Sequence, residues 1–273
     1  MTHKTIAFIG AGNMAASIIG GLVQNGWPGD RIIGTGRTQK KLDKLQQRFG
    51  IQVTTNNHQA VGKADVVMLG VKPQEMKALL EDLSPSLDSR QHLLISFVTG
   101  ITMSSLEQWT SREFAIIRSM PNTPCLLQAG VTGLIANEQV SAQQTSLTDS
   151  IFRATGITEW VANEELIDAI IAVSGSGPAY FFLFMEAMKK TGIELGFDEA
   201  TAERLTIQTA LGAARMAQEE AVDIAELRRS VTSPKGTTEQ AINTFRQGEL
   251  PELVNKAMKA AVCRAKKMST ELA

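Results

Sequence analysis

The 273-residue chain has two cysteines, three histidines, one tyrosine and no surplus of either charge. Cys125 and Cys263 lie far apart in sequence, too few for a disulfide scaffold or a zinc site, so no metal is expected and a cytoplasmic, reducing compartment is. Lys and Arg total 27 against 28 for Asp and Glu, a net charge of -1. Such a balance lacks the basic field of a nucleic-acid binder. The leading Met1-Thr2-His3-Lys4 runs into an apolar stretch, Ile6–Ile9, that is too short for a signal peptide and ends in glycines, so no export signal is read. No segment is read as reaching transmembrane length, and no membrane is expected.

What the chain does have is regular alternation in its first part. Thr5–Ile9, Arg31–Gly34, Gln52–Thr54, Asp65–Val71, Leu93–Val98, Ala115–Arg118 and Val131–Ile135 read as strands. Met14–Gln24, Gln39–Phe49, Gln74–Leu80 and Ser104–Trp109 read as intervening helices. Alternation of this kind predicts an α/β domain, a Rossmann-type, doubly wound parallel sheet. A helix over Ala142–Ala154 and a strand over Thr158–Val161 close it, giving a nucleotide-binding domain over residues 1–163. From residue 164 to 273 the pattern is all-α, punctuated by Gly196, Pro234 and Gly248. Several of these helices are apolar on more than one face, which predicts burial against a second copy of the chain.

After the first strand, Gly10-Ala11-Gly12-Asn13-Met14-Ala15 opens a helix as a G-x-G-x-x-A fingerprint. Gly10 permits the tight turn, Gly12 admits a pyrophosphate, and Ala15 lets helix and strand approach. The segment Ile9 to Met14 is therefore assigned to a dinucleotide, with its pyrophosphate on the helix N-terminus. The second strand ends in Gly34-Thr35-Gly36-Arg37-Thr38, without the carboxylate that would bond a ribose 2′-hydroxyl. Arg37 offers a fork to a 2′-phosphate, with Thr35 or Thr38 adding hydroxyls, so NADPH is favoured and NADH is the lesser alternative. Val71, Lys72 and Pro73 fall at the sheet's carboxyl edge, with Lys72 facing phosphate or ribose oxygens or else solvent. Met120-Pro121-Asn122-Thr123-Pro124 forms a rigid turn in which Asn122 is a candidate for the nicotinamide carboxamide.

Two glycine-rich turns stand in the helical part. Ser174-Gly175-Ser176-Gly177-Pro178 suits a helix start with Ser176 as N-cap and Pro178 in the first turn. Ser233-Pro234-Lys235-Gly236-Thr237-Thr238 has Thr237 and Gln240 at capping-box spacing. Each reads either as simple capping or as an anion site for a substrate carboxylate.

With Gly10–Met14, Val71-Lys72-Pro73, Arg118–Pro124, Val173–Tyr180 and Val231–Thr238 in this order and spacing, nearly the whole chain resembles the pyrroline-5-carboxylate reductases. The resemblance implies NADPH-dependent reduction of 1-pyrroline-5-carboxylate to L-proline, the last step of proline biosynthesis. It implies an intertwined dimer through the helical domain, assembled into larger rings in many members. It places Asn57 at the adenosine side of the cofactor and Phe97-Val98-Thr99 at the nicotinamide side. Thr238 is placed against the imine nitrogen as the catalytic group, with Ser233, Gly236, Thr237 and Ser176 holding the imino acid. Lys235 departs from the glycine usual at its position, and Val98-Thr99 from a usual Ala-Ala.

A hydroxy-acid dehydrogenase would need a general base. His3, His58 and His92 all lie in the nucleotide half, and the place of a catalytic lysine after Gly177 is taken by Phe181. A cofactor-sensing protein on the same fold is the non-enzymatic alternative. A six-membered cyclic imine is the alternative substrate, differing by about 1–3 kcal/mol of pocket affinity.

Overall fold

In this computed structural model, residues 3–110 and 113–272 are described; Met1 and Thr2 of the leading segment lie outside them. The chain divides into two compact units, Met1–Ser176 with Ala261–Ala273, and Gly177–Ala260. The expected boundary at 163/164 falls at the start of a helix, thirteen residues before Gly177.

Unit 1 is built on eight strands: β1 (Ile6–Ile9), β2 (Ile32–Thr35), β3 (Gln52–Thr54), β4 (Val66–Leu69), β5 (Leu93–Ser96), β6 (Ala115–Pro121), β7 (Gly130–Ala136) and β8 (Gly156–Trp160). They form one sheet in the order β3-β2-β1-β4-β5-β6-β7-β8. The first six reproduce the Rossmann order. β1, β2, β4 and β5 are buried at every residue, as parallel strands covered on both faces must be. One face packs on α1 (Asn13–Gln24), α2 (Gln39–Phe49) and α6 (Ala142–Arg153) through Phe8, Ile18, Ile19, Ile151 and Phe152. The other packs on α3 (Asn57–Val61), α4 (Met76–Leu83), α5 (Met103–Thr110) and α7 (Glu164–Ile170) through Ile9, Val61, Leu80, Leu106 and Ile167.

The fully parallel expectation needs correction at β7, which runs antiparallel to β6 before pairing in parallel with β8. The link from Asn122 to Ala129 holds only a short 3₁₀ turn, Thr123–Leu127. Eight residues are too few for the crossover that a parallel pair requires. The five-residue α3 was also not anticipated; Asn56 caps it by accepting from the Gln59 N–H at 3.0 Å.

Unit 2 carries α8 (Gly177–Glu194), α9 (Glu199–Glu219), α10 (Ile224–Ser230) and α11 (Thr237–Gln247), together with the first part of α12 (Leu250–Leu272). Asp198 caps α9 and Asp223 caps α10. α8 packs on α9, with Gly192 against Ala202, and Lys189 bridges Glu199 and Glu203. Phe184 meets the Phe245 ring at 5.8 Å.

Three sequence readings change here. α8 does begin at Gly177 with Pro178 in its first turn, but Ser176 is not an extended N-cap, since its φ of -89° and ψ of -20° are helical. The chain is π-helical over Ile171–Gly175, and the Ser176 N–H donates to Ile171 O at 2.7 Å. The helical run Glu164–Glu194 passes through it, and by length and composition that run could cross a membrane. The expectation that no segment reaches transmembrane length is corrected here, because Gly175, Gly177 and Pro178 interrupt the pattern in sequence but not the helix. The capping box at Thr237 is absent too: Gly236 occupies the N-cap position and Thr237 is the first helical residue.

Candidate active site

A cleft of about 310 Å³ opens at the carboxyl edge of β1, β4 and β5. Gly12, Asn13, Met14 and Ala15 line it from the start of α1, Gly70, Val71 and Pro73 from the end of β4, and Phe97, Val98 and Thr99 from the end of β5. This is the crevice where open α/β sheets bind ligands. Gly10 adopts φ +90°, and a Cβ there would lie 2.8 Å from the Gly70 carbonyl oxygen. At Gly12 nothing stands within 4 Å of the same position. The backbone is therefore bare toward the cleft at Gly12, and the first turn of α1 presents N–H groups without intrahelical partners. Such a cradle fits the pyrophosphate of a dinucleotide.

Thr35 is fully buried, and its hydroxyl accepts from the Gly10 N–H at 3.3 Å while its carbonyl accepts from Ala11 at 2.7 Å. It fixes the fingerprint turn and is not available to a 2′-phosphate, contrary to the expectation for it. Thr38 and Arg37 are exposed beyond the end of β2, and Arg37 Nη1 stands 3.1 Å from Glu75 Oε1. Ile9 is a core residue at the end of β1, able to meet a cofactor only through its backbone. Asn57 is half-buried as the first residue of α3, and Lys72 is exposed between Val71 and Pro73. Asn122 is 6% exposed, its Oδ1 accepting from the Val131 N–H at 2.9 Å and its Nδ2 donating to the Ser174 carbonyl at 3.0 Å.

The sequence reading gave no part to the acidic residues of α7. Arg118 is 2% exposed and pairs with Glu164, which also accepts from the Met103 N–H at 2.9 Å. Burial raises the pKa of Asp168, with Arg118 and Lys266 opposing that shift. Nothing in α7 itself announces these pairings, because Glu164 and Asp168 read as an ordinary first turn and polar face. Phe97, which the resemblance placed at the nicotinamide side, lines the cleft together with Gly70, and the two are locked together, since no side chain fits between Gly70 and the Phe97 ring.

In unit 2, Ser233, Gly236, Thr237 and Thr238 share one turn and the start of α11. Gly236 N–H donates to Ser233 O at 3.0 Å, and Lys235 N–H donates to Glu239 Oε2 at 2.8 Å. Lys235 has φ +62°, the left-handed conformation in which glycine is unstrained. Ser176, in unit 1, is half-buried beside the π-helical segment.

None of the histidines lines the cleft. His92 is buried between Val61 O and the Asp88 N–H, and burial lowers its pKa. His58 stands 3.3 Å from Asp82, and His3 packs on Trp27. Among the described residues no group of three or more His, Cys, Asp or Glu is placed to hold a metal.

The family model for pyrroline-5-carboxylate reductase dimerisation matches residues 164–268. That for NADP oxidoreductase, coenzyme F420-dependent, matches residues 5–100. A pyrroline-5-carboxylate reductase of Pseudomonas aeruginosa is 49% identical, covering 100% of this chain and 99% of its own. One of Escherichia coli is 34% identical over 98% and 99%. Among solved structures, a pyrroline-5-carboxylate reductase of Coxiella burnetii superposes with a TM-score of 0.94 at 47% identity, covering 98% of this chain and 99% of that one. The Plasmodium falciparum pyrroline carboxylate reductase, solved with NADP bound, gives 0.87 at 25% identity over 98% and 99%.

Proposed function

The chain belongs to the pyrroline-5-carboxylate reductase family, and we propose that it is an oxidoreductase reducing 1-pyrroline-5-carboxylate to L-proline with NADPH. The observation that carries this reading is the similarity to the Pseudomonas aeruginosa enzyme, 49% identical across 100% of this chain and 99% of that one. NADPH, when bound, supplies the hydride that the C=N carbon accepts.

The chain's own residues bind and orient. Gly10, Ala11, Gly12, Asn13 and Met14 carry the pyrophosphate, with Ile9 contributing backbone only. Arg37 takes the 2′-phosphate, and Asn57, Val71, Lys72 and Pro73 the adenosine and ribose side. Val98 packs at the nicotinamide end and keeps water from it. The substrate carboxylate is held by Ser233 and the N–H groups of Gly236 and Thr237, with Ser176 as a further contact. A protonated imine is already electrophilic, so no strong protein acid is required. The Thr238 hydroxyl orients the ring nitrogen and passes its proton through water.

Residues 164–268 support homo-oligomerisation. We infer a homodimer through this segment, built into larger rings, in the cytoplasm. The apolar run of α8 is then covered by a second copy rather than by lipid.

The test is loss of NADPH absorbance with purified protein and DL-1-pyrroline-5-carboxylate, with NADH in parallel and proline identified as product. Turnover that prefers NADPH supports substrate and cofactor together. Tight NADPH binding without turnover on this imine would overturn the substrate reading.

A further inference from the structure

Asn122 sits at the end of β6, where the sequence suggested a hand on the cofactor, yet its side chain is engaged elsewhere. Its Oδ1 receives the Val131 N–H at 2.9 Å, and its Nδ2 donates to the Ser174 carbonyl at 3.0 Å. It is 6% exposed. Ser174 lies in the π-helical segment Ile171–Gly175. In an α-helix its carbonyl would accept from the N–H of residue 178, and residue 178 is Pro178, which has none. Ser174 is half-buried, and a carbonyl so placed and deprived of its helical donor is stabilised by another. Asn122 supplies it, from the residue after β6, fifty-two positions earlier in the chain.

Π-helical turns break the ordinary ladder and tend to mark functional positions. This one immediately precedes Ser176, whose N–H is held by Ile171 O at 2.7 Å. We propose that Asn122 is a positioning residue for the substrate: by replacing the donor that Pro178 removes, it fixes the turn presenting Ser176, and it does not grip the nicotinamide. The inference rests on the reading above in which Ser176 meets the imino acid.

Asn122→Asp tests it, because the carboxylate keeps the acceptor for Val131 and loses the donor to Ser174. The expected result is a KM for 1-pyrroline-5-carboxylate raised about tenfold, the scale of one unmade buried hydrogen bond. The change in kcat is smaller, and the NADPH dissociation constant, from fluorescence titration, stays within about twofold of wild type. Adding Pro178→Ala gives the helix its own N–H at residue 178, and KM then recovers toward wild type. An unchanged KM, or an NADPH dissociation constant that rises as much as KM, overturns the proposal. So does a double variant that folds but keeps the raised KM. Should Asn122→Asp alone not fold, the double variant carries the test: folded with near-normal KM supports, folded with raised KM refutes. A wild-type protein inactive on the imine defeats the functional reading itself, whereas an unaffected Asn122→Asp in an active enzyme defeats only this one.

Discussion

Arg37 and Glu75 face each other across 3.1 Å, from the end of β2 and the approach to α4, with both side chains substantially in solvent. An exposed pair of this kind contributes about 0–1 kcal/mol, so little holds Arg37 away from a 2′-phosphate. A phosphate offers it a bidentate, doubly charged partner. Arg37→Ala is expected to raise KM for NADPH roughly ten- to a hundredfold and leave KM for NADH nearly unchanged. Glu75→Gln, which frees the guanidinium, should lower KM for NADPH. Steady-state kinetics with both nucleotides checks the pair, and equal losses with NADPH and NADH would reject Arg37 as the selector.

Gly10 and Gly12 are one residue apart in the fingerprint but differ in what surrounds them. Gly10→Ala adds left-handed strain of about 1–2 kcal/mol and forces a methyl against the Gly70 carbonyl, so melting temperature and NADPH affinity both fall. Gly12→Ala meets no protein atom within 4 Å. It should fold as the wild type does and lose NADPH affinity about tenfold, the scale of one hydrogen bond to a charged group. Calorimetry paired with fluorescence titration separates the two.

Asp168 is buried beside the Arg118–Glu164 pair, and desolvation raises its pKa above 3.8. The folded state then binds the proton more tightly than the unfolded state. Stability contributed by this group falls as pH rises from its unfolded value through its folded one, and the penalty is complete above both. Asp168→Asn is therefore expected to stabilise at neutral pH and do little at about pH 3, where the carboxyl is protonated in both states. Denaturant titrations at the two pH values check this; greater stabilisation at the acidic pH would contradict the sign.

Phe181, Phe182 and Leu183 are 68%, 64% and 68% exposed in one protomer. Three consecutive large apolar residues in water are unusual for a monomer. Phe182→Glu should shift the protein to a smaller species in light scattering and abolish any concentration dependence of its melting temperature. An unchanged mass would place the subunit contact elsewhere.

Lys235 in the left-handed region carries strain that a glycine would not, but a glycine also loosens the unfolded chain. Lys235→Gly should change stability by less than about 1 kcal/mol, since the two effects oppose. Any rise in KM would then report the lost ammonium. Thr238→Ala, one turn away, should lower kcat with the NADPH dissociation constant unchanged. A Thr238→Ala enzyme with wild-type kcat and KM would remove Thr238 from the mechanism.

Local chemistry was readable where it depends on neighbours in sequence. The fully buried β1 and β4, the G-x-G-x-x-A turn and the lack of a carboxylate in the segment Gly34–Thr38 that ends the second strand belong to short segments whose apolar runs and glycines speak for themselves. Even the strain at Lys235 was foreshadowed, as a departure from the glycine usual there. Tertiary structure alone decided the partners of polar groups distant in the chain. Thr35 turned inward to hold Gly10, Arg118 found Glu164, and Asn122 became the donor that Pro178 denies to Ser174. Periodicity records which side of an element is buried, and spacing records which turn it can make. Neither says which buried donor meets which acceptor, because that pairing is set only when strands and helices from separate parts of the chain have packed and the unsatisfied groups must find one another.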